Sequence, residues 1–195
     1  MEADPRTLYK FWFGEGSLDD PKLNTARMKL WFGKDPETDR QMREQFAPWL
    51  EIDLAFGDAR DFLSLVILHD QVPRNAFRDT PKMFAYDDQA RDLAHFAVKK
   101  NYHQTMHVLE ALFLLLPFEH SENGDDQRLA VKLLGEVHAR APQPLQEVTA
   151  GTYDYAKKHA TVIERFGRFP HRNEVLGRVS TPEEVAFLRS PGSRF

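Results

Sequence analysis

The chain contains no cysteine, which removes disulfides, thiolate metal sites and thiol nucleophiles together. It has no long hydrophobic run either. The longest, Ala111 to Phe118, falls far short of the roughly 18 apolar residues that argue for a membrane span. No charge of one sign dominates: 26 basic residues stand against 30 acidic ones, a formal net charge of -4. No global attraction to nucleic acid or to an anionic membrane is therefore expected. The opening Met-Glu-Ala-Asp-Pro-Arg has no basic region followed by an apolar one, so no signal peptide is expected and a cytoplasmic location is the default. Period-two alternation, a glycine-rich phosphate loop, a nucleophile elbow and a His-Glu-x-x-His motif are all missing. No cofactor and no metal site is assigned.

What is present reads as helix. At 195 residues with 42% hydrophobic content, the chain has the size of one globular domain spanning 1–195. Pro5 opens a first aromatic helix, with Leu8, Phe11 and Trp12 on one face, and Gly14 closes it. A loop through Pro21 follows. Trp31-Phe-Gly33 then echoes Trp12-Phe-Gly14, which reads as aromatic core packing, with an internal repeat, or a dimer contact through Trp12 and Trp31, as the alternatives. Asp35-Pro36 starts a helix towards Phe56, disturbed at Pro48. Asp58 caps a helix over 59–68 that is apolar almost all round and so buried on several sides. The segment 73–81 is expected to be a polar turn. Further helices are expected over 81–100, 104–116, 125–138, 146–166 and, from the capping box Thr181-Pro-Glu-Glu184, over 182–188. The fold class is all-α, an array of around seven or eight helices.

Polar residues gather in two similar stretches. Arg165-Phe-Gly-Arg-Phe-Pro-His-Arg-Asn173 leads to Arg178, and the segment 165–178 holds four arginines, one acid and no lysine. Pro73-Arg74-Asn75 leads to Arg78 in the same manner. Arginine is a rigid, always-charged fork suited to fixed pairing with carboxylate or phosphate. Its partners are either internal (Asp70, Glu119 and Glu122) or a bound anion; nucleic acid is the weakest reading. His69, Asp70, His120, His159 and His171 offer acid–base groups in no recognised spacing. His103, His107 and Glu110 fall on one helical face, read as exposed and polar, with a metal clip as the alternative.

Taken together, Phe11-Trp-Phe-Gly14, Leu65-Val-Ile-Leu-His-Asp-Gln-Val-Pro-Arg-Asn75, Leu116-Pro-Phe-Glu-His-Ser-Glu122 and Arg165-Phe-Gly-Arg-Phe-Pro-His-Arg-Asn173 resemble one bacterial family, the domain of unknown function family 924 (DUF924). The resemblance runs through nearly the whole chain. It implies a single all-α domain similar to tetratricopeptide-like helical arrays, and it implies no established reaction. In the family motif an apolar residue often precedes Asp-Gln-Phe-Pro-Arg-Asn. His69 stands there in this chain, so an essential role for His69 is disfavoured. The favoured site residues are Asp70, Arg74, Asn75, Arg78, His120, Glu122, Arg165, His171, Arg172, Asn173 and Arg178. Three functions stay open at this point: binding of a small carboxylate- or phosphate-bearing anion, a groove for a protein partner, and hydrolysis using Asp70 with His120 or His171.

Overall fold

The apolar pattern builds two helices that are buried almost all round, and the rest of the chain is arranged about them. The structure is a computed structural model that describes residues 3–193, without the side chains of residues 21–24 and 26. Helix α1 is Pro5–Phe13, α2 Pro21–Phe32, α3 Pro36–Gln41, α4 Ala59–Ala76 and α5 Asp87–Lys99. Then come α6 Tyr102–Thr105, α7 Val108–His120, α8 Gly124–Ala139, α9 Gln146–Phe166 and α10 Pro182–Leu188. No strand occurs among the described residues, so the all-α reading holds, with more and shorter helices than the seven or eight expected.

Helices α4 and α7 form the centre. Phe62, Leu63, Val66, Ile67 and Leu68 of α4 are buried, as are Leu109, Leu112, Phe113, Leu114 and Leu115 of α7. Arg60 at the start of α4 meets Glu110 at the start of α7, and Asp70 further along α4 meets His120 at the end of α7. The two helices therefore run in the same direction. Helix α4 packs on α1, α5 and α7, while α7, α8 and α9 lie against one another in chain order. Trp12, Phe13 and Trp31 surround Phe113, and Trp31 Nε1 donates to the carbonyl of Trp12 over 3.0 Å. The Trp-Phe-Gly echo is thus aromatic core packing.

Several expected boundaries move. Helix α4 does not give way to a turn at Pro73 but continues through it to Ala76. Proline removes one intrahelical donor and crowds the preceding turn. Here that cost is offset because Val72, Asn75 and Ala76 are buried, Asn75 Nδ2 donates to the Gln71 carbonyl at 2.8 Å, and Arg43 reaches the Ala76 carbonyl at 2.8 Å. Pro117 sits inside α7 in the same way. The segment after Pro36 winds as α3, a π turn over Met42–Phe46 and a 3-10 turn over Ala47–Glu51, then becomes extended at Ile52 rather than continuing to Phe56. Helix α2 fills a stretch beyond the Pro21 loop for which no element is expected. Residues 81–84 form a 3-10 turn that precedes α5.

Candidate functional site

Running α4 through Pro73 has a consequence for chemistry: Asp70 and Arg74 become successive residues on one helical face. They project from the C-terminal part of α4 towards the C-terminal turn of α7, which supplies Glu119 and His120. The first turn of α5 adds Asp87, and the 3-10 turn Pro170–Arg172 adds Arg172.

Asp70 is fully enclosed, and its Oδ1 lies 2.7 Å from His120 Nδ1 while Oδ2 accepts from Gln71 Nε2 at 2.6 Å. Arg74 Nε also approaches His120 Nδ1, at 3.3 Å. One ring nitrogen cannot donate to a carboxylate and accept from a guanidinium together. The ionised carboxylate can only accept, and its contact is the shorter, so Nδ1 carries the hydrogen and donates it to Asp70. In the neutral ring the lone pair then resides on Nε2, which makes no hydrogen bond among the described residues. Burial works to raise the Asp70 carboxyl, but His120 and Arg74 outweigh it and hold it well below the usual carboxylate range. Burial, helped by Arg74, pushes His120 down, so its ring is neutral at neutral pH.

Asp87 stands between two cations. Its Oδ1 accepts from Arg74 Nη2 at 2.8 Å and its Oδ2 from Arg172 Nη1 at 3.3 Å. Arg172 also donates from Nη2 to the His120 carbonyl at 2.8 Å, and its Cζ lies over the rings of Phe84 and Phe169, 4.6 and 4.5 Å from their centroids. Burial and Arg74 pull Arg172 down to about 10, which still leaves it a cation. Beside this network, on the α9 side, Glu119 Oε1 approaches His159 Nδ1 at 3.4 Å, and Glu119 Oε2 has no hydrogen-bond partner among the described residues. Burial, with Asp70 nearby, raises the Glu119 carboxyl to about 8, and burial drives His159 down to about 3.

The structure therefore gathers Asp70, Arg74, His120 and Arg172 into one cluster. His171 is next to it, with its ring 5.6 Å from Phe169. Other expected residues act as struts. Glu122 takes both Nη groups of Arg178, at 2.6 and 2.9 Å, and the Phe169 amide at 2.8 Å. Asn173 accepts from Arg178 Nε at 2.9 Å and donates to Ser180 at 3.0 Å. Arg78 turns to Asp39 with two 2.8 Å bonds and is braced by Asn75 at 2.9 Å, away from His120. Arg165 is exposed and pairs with Glu183. Internal pairing of the arginines thus explains Arg178 with Glu122. Among the described residues, however, no arginine reaches Glu119, and Asp70 is served by Arg74 rather than by the C-terminal segment.

Asp87, Phe84, Phe169 and Gln71 belong to the cluster and carried no signal: an aspartate at a helix start reads as a dipole partner, and the phenylalanines read as core. His103, His107 and Glu110 do not form an exposed face. Glu110 is buried and closes a capping box with His107, while His103 sits on the separate helix α6. Among the described residues no group of three or more His, Asp or Glu side chains could hold a metal ion, and no helix is long and apolar enough to cross a membrane. A cleft of about 570 Å³ opens at the opposite pole, beside Tyr9, Arg60 and His107. Its polar side chains are already paired: Arg60 with Glu110, Arg6 with Asp61 and His107 with Asp19.

No curated protein matches the chain. A solved structure from Agrobacterium tumefaciens, the protein of unknown function ATU0120, is 31% identical, with 95% of this chain and 96% of that chain covered and a TM-score of 0.70. The model of a bacterial protein family of unknown function, DUF924, matches residues 8–192. The chain belongs to that family.

Proposed function

We propose that the protein binds a small carboxylate- or phosphate-bearing molecule beside the Asp70–His120 pair and that His120 Nε2 takes a proton from it. The observation that carries this reading is the 2.7 Å bond from His120 Nδ1–H to a buried Asp70, which fixes the tautomer and leaves Nε2 as an uncommitted base. A carboxylate that orients an imidazole in this way is the recurring device of general-base catalysis. Arg74 and Arg172 supply the cationic neighbourhood an anion needs. Both now share Asp87, so an incoming anion competes with that one carboxylate for a ready-made fork.

The test is a thermal-shift panel of inorganic phosphate, nucleotides and small dicarboxylates, run across pH on wild type and His120→Gln. The glutamine amide can still donate to Asp70 but offers no base. A ligand at roughly 100 times its dissociation constant stabilises by about 2.7 kcal/mol, roughly 5–10 °C in a chain of this size. The expected result is a wild-type shift whose size varies with pH, and a His120→Gln shift that persists without that variation. A flat wild-type panel, or identical pH behaviour in the two proteins, would overturn the reading.

A further inference from the structure

The chain neighbour of His120, Glu119, is a second titratable group beside this site. Glu119 is 4% exposed, and successive residues of α7 send it and His120 in different directions, His120 to α4 and Glu119 to α9. Its contact there is a poor one for an anion. His159 Nδ1 donates its hydrogen to the Tyr155 carbonyl at 2.9 Å, so the 3.4 Å approach to Glu119 has no hydrogen to offer. Glu119 Oε2 lies buried with no hydrogen-bond partner among the described residues. The groups around the carboxyl also disfavour a charge. Helix α4 presents the anion Asp70, α9 the neutral His159 and α8 the uncharged Gln127, whose amide binds the Glu119 carbonyl. His120 on its own helix is neutral, and the cation Arg172 from the turn after α9 binds the His120 carbonyl and Asp87 rather than this carboxyl.

The segment 167–178 packs on the His159 that faces this carboxyl. Phe169 is fully buried, edge-on to the His159 ring at 5.3 Å, and the same segment carries Arg172 to the His120 carbonyl. We propose that Glu119 is a proton-operated latch: as a neutral acid it lets the 167–178 strap seat Phe169 on His159 and Arg172 beside His120, and on losing its proton it releases that strap. An ionised carboxylate at the unpartnered Oε2 needs a donor such as water, and opening the segment that packs Phe169 on the neighbouring His159 would admit it. The consequence for ligand binding rests on the reading of His120 given above; the latch itself rests on the buried, unpartnered Glu119 carboxyl and on the contacts from Glu119 to His159 and from His159 to Phe169.

Hydrogen exchange of peptides covering 167–178, corrected for the intrinsic pH dependence of exchange, tests it on the full chain. In wild type, protection of the strap is expected to fall on the order of tenfold per pH unit as the pH rises towards about 8, and to level off above it. In Glu119→Gln, which keeps the neutral shape, protection is expected to stay constant. A wild type that shows no fall, or a fall shared equally by the variant, would overturn the latch. Should the variant not fold, infrared spectra of wild type labelled at glutamate carboxyls replace it. An acid carbonyl band that disappears as the strap opens supports the proposal, and its absence at neutral pH rejects it. His120→Gln is measured in parallel and is expected to keep the latch, so a failed anion reading and a failed latch give different patterns.

Discussion

Arginines of one sequence stretch have different weights because their surroundings differ. Arg165 and Arg178 each pair with a glutamate, yet the Arg165 side chain is 52% exposed and its partner Glu183 63%, against 24% and 28% for Arg178 and Glu122. An exposed pair exchanges solvation for attraction at nearly equal value. The Arg178 pair is two-pronged and also fixes the Phe169 carbonyl at 3.0 Å and Asn173 at 2.9 Å. Truncation there strands a half-buried carboxylate and two acceptors. Arg178→Ala is expected to lower stability by about 2 kcal/mol, and Arg165→Ala to change it by less than about 0.5 kcal/mol. Urea denaturation of the two variants measures both; equal losses would mean that burial is not what separates them.

Helix α9 offers a test in which one substitution has opposite signs. Gly151 lies exposed in its interior, and a Cβ there would meet nothing within 4 Å. Gly167 ends the same helix at φ +67, again with open space around a Cβ. With sterics equal, only backbone preference differs. Gly151→Ala is expected to stabilise by about 0.5–1 kcal/mol, and Gly167→Ala to destabilise by about 1 kcal/mol, because the left-handed region disfavours a Cβ. Shifts of the denaturation midpoint in opposite directions confirm it; shifts in one direction would contradict the assignment of Gly167 as the helix stop.

Elements were legible in the sequence wherever a local rule decided them. Asp58 accepts from the amides of Arg60 and Asp61, and Thr181 with Glu184 closes its capping box, as their spacing predicts. Helix α2 was missed because its apolar residues, among them Met28, Trp31 and Phe32, mark out no single face. Proline misled at Pro73 for a different reason: a local cost was outweighed by burial of the following turn, which no pattern within the chain reports. The site suffered from the same limit. Asp70, Arg74, His120 and Arg172 were visible as polar residues at helix ends, but Asp87 joins them through tertiary contact alone. That single carboxylate joins two arginines that are otherwise held separately, Arg74 by Asp70 and Arg172 by the His120 carbonyl.

At the scale of the molecule, the buried titratable groups set how stability follows pH. Glu119 is raised from its ordinary value of 4.5 to about 8, so the native state holds a proton that the unfolded chain has lost. Its contribution is fully present below 4.5 and disappears as pH rises through about 8. His159 is lowered from 6.5 to about 3; its contribution is present above 6.5 and is lost as pH falls through about 3. Between 4.5 and 6.5 these two slopes have opposite sign and cancel. His120 and Asp70, both lowered, add to the loss on the acid side. The melting temperature is therefore expected to peak near pH 6.5, to fall steeply below 4.5, and to decline again towards about 8. The alkaline limb belongs to Glu119 alone among these groups, so Glu119→Gln is expected to flatten it while leaving the acid limb in place. Calorimetry of both proteins across that range decides the matter, since an alkaline decline that survives in the variant would assign the proton to some other group.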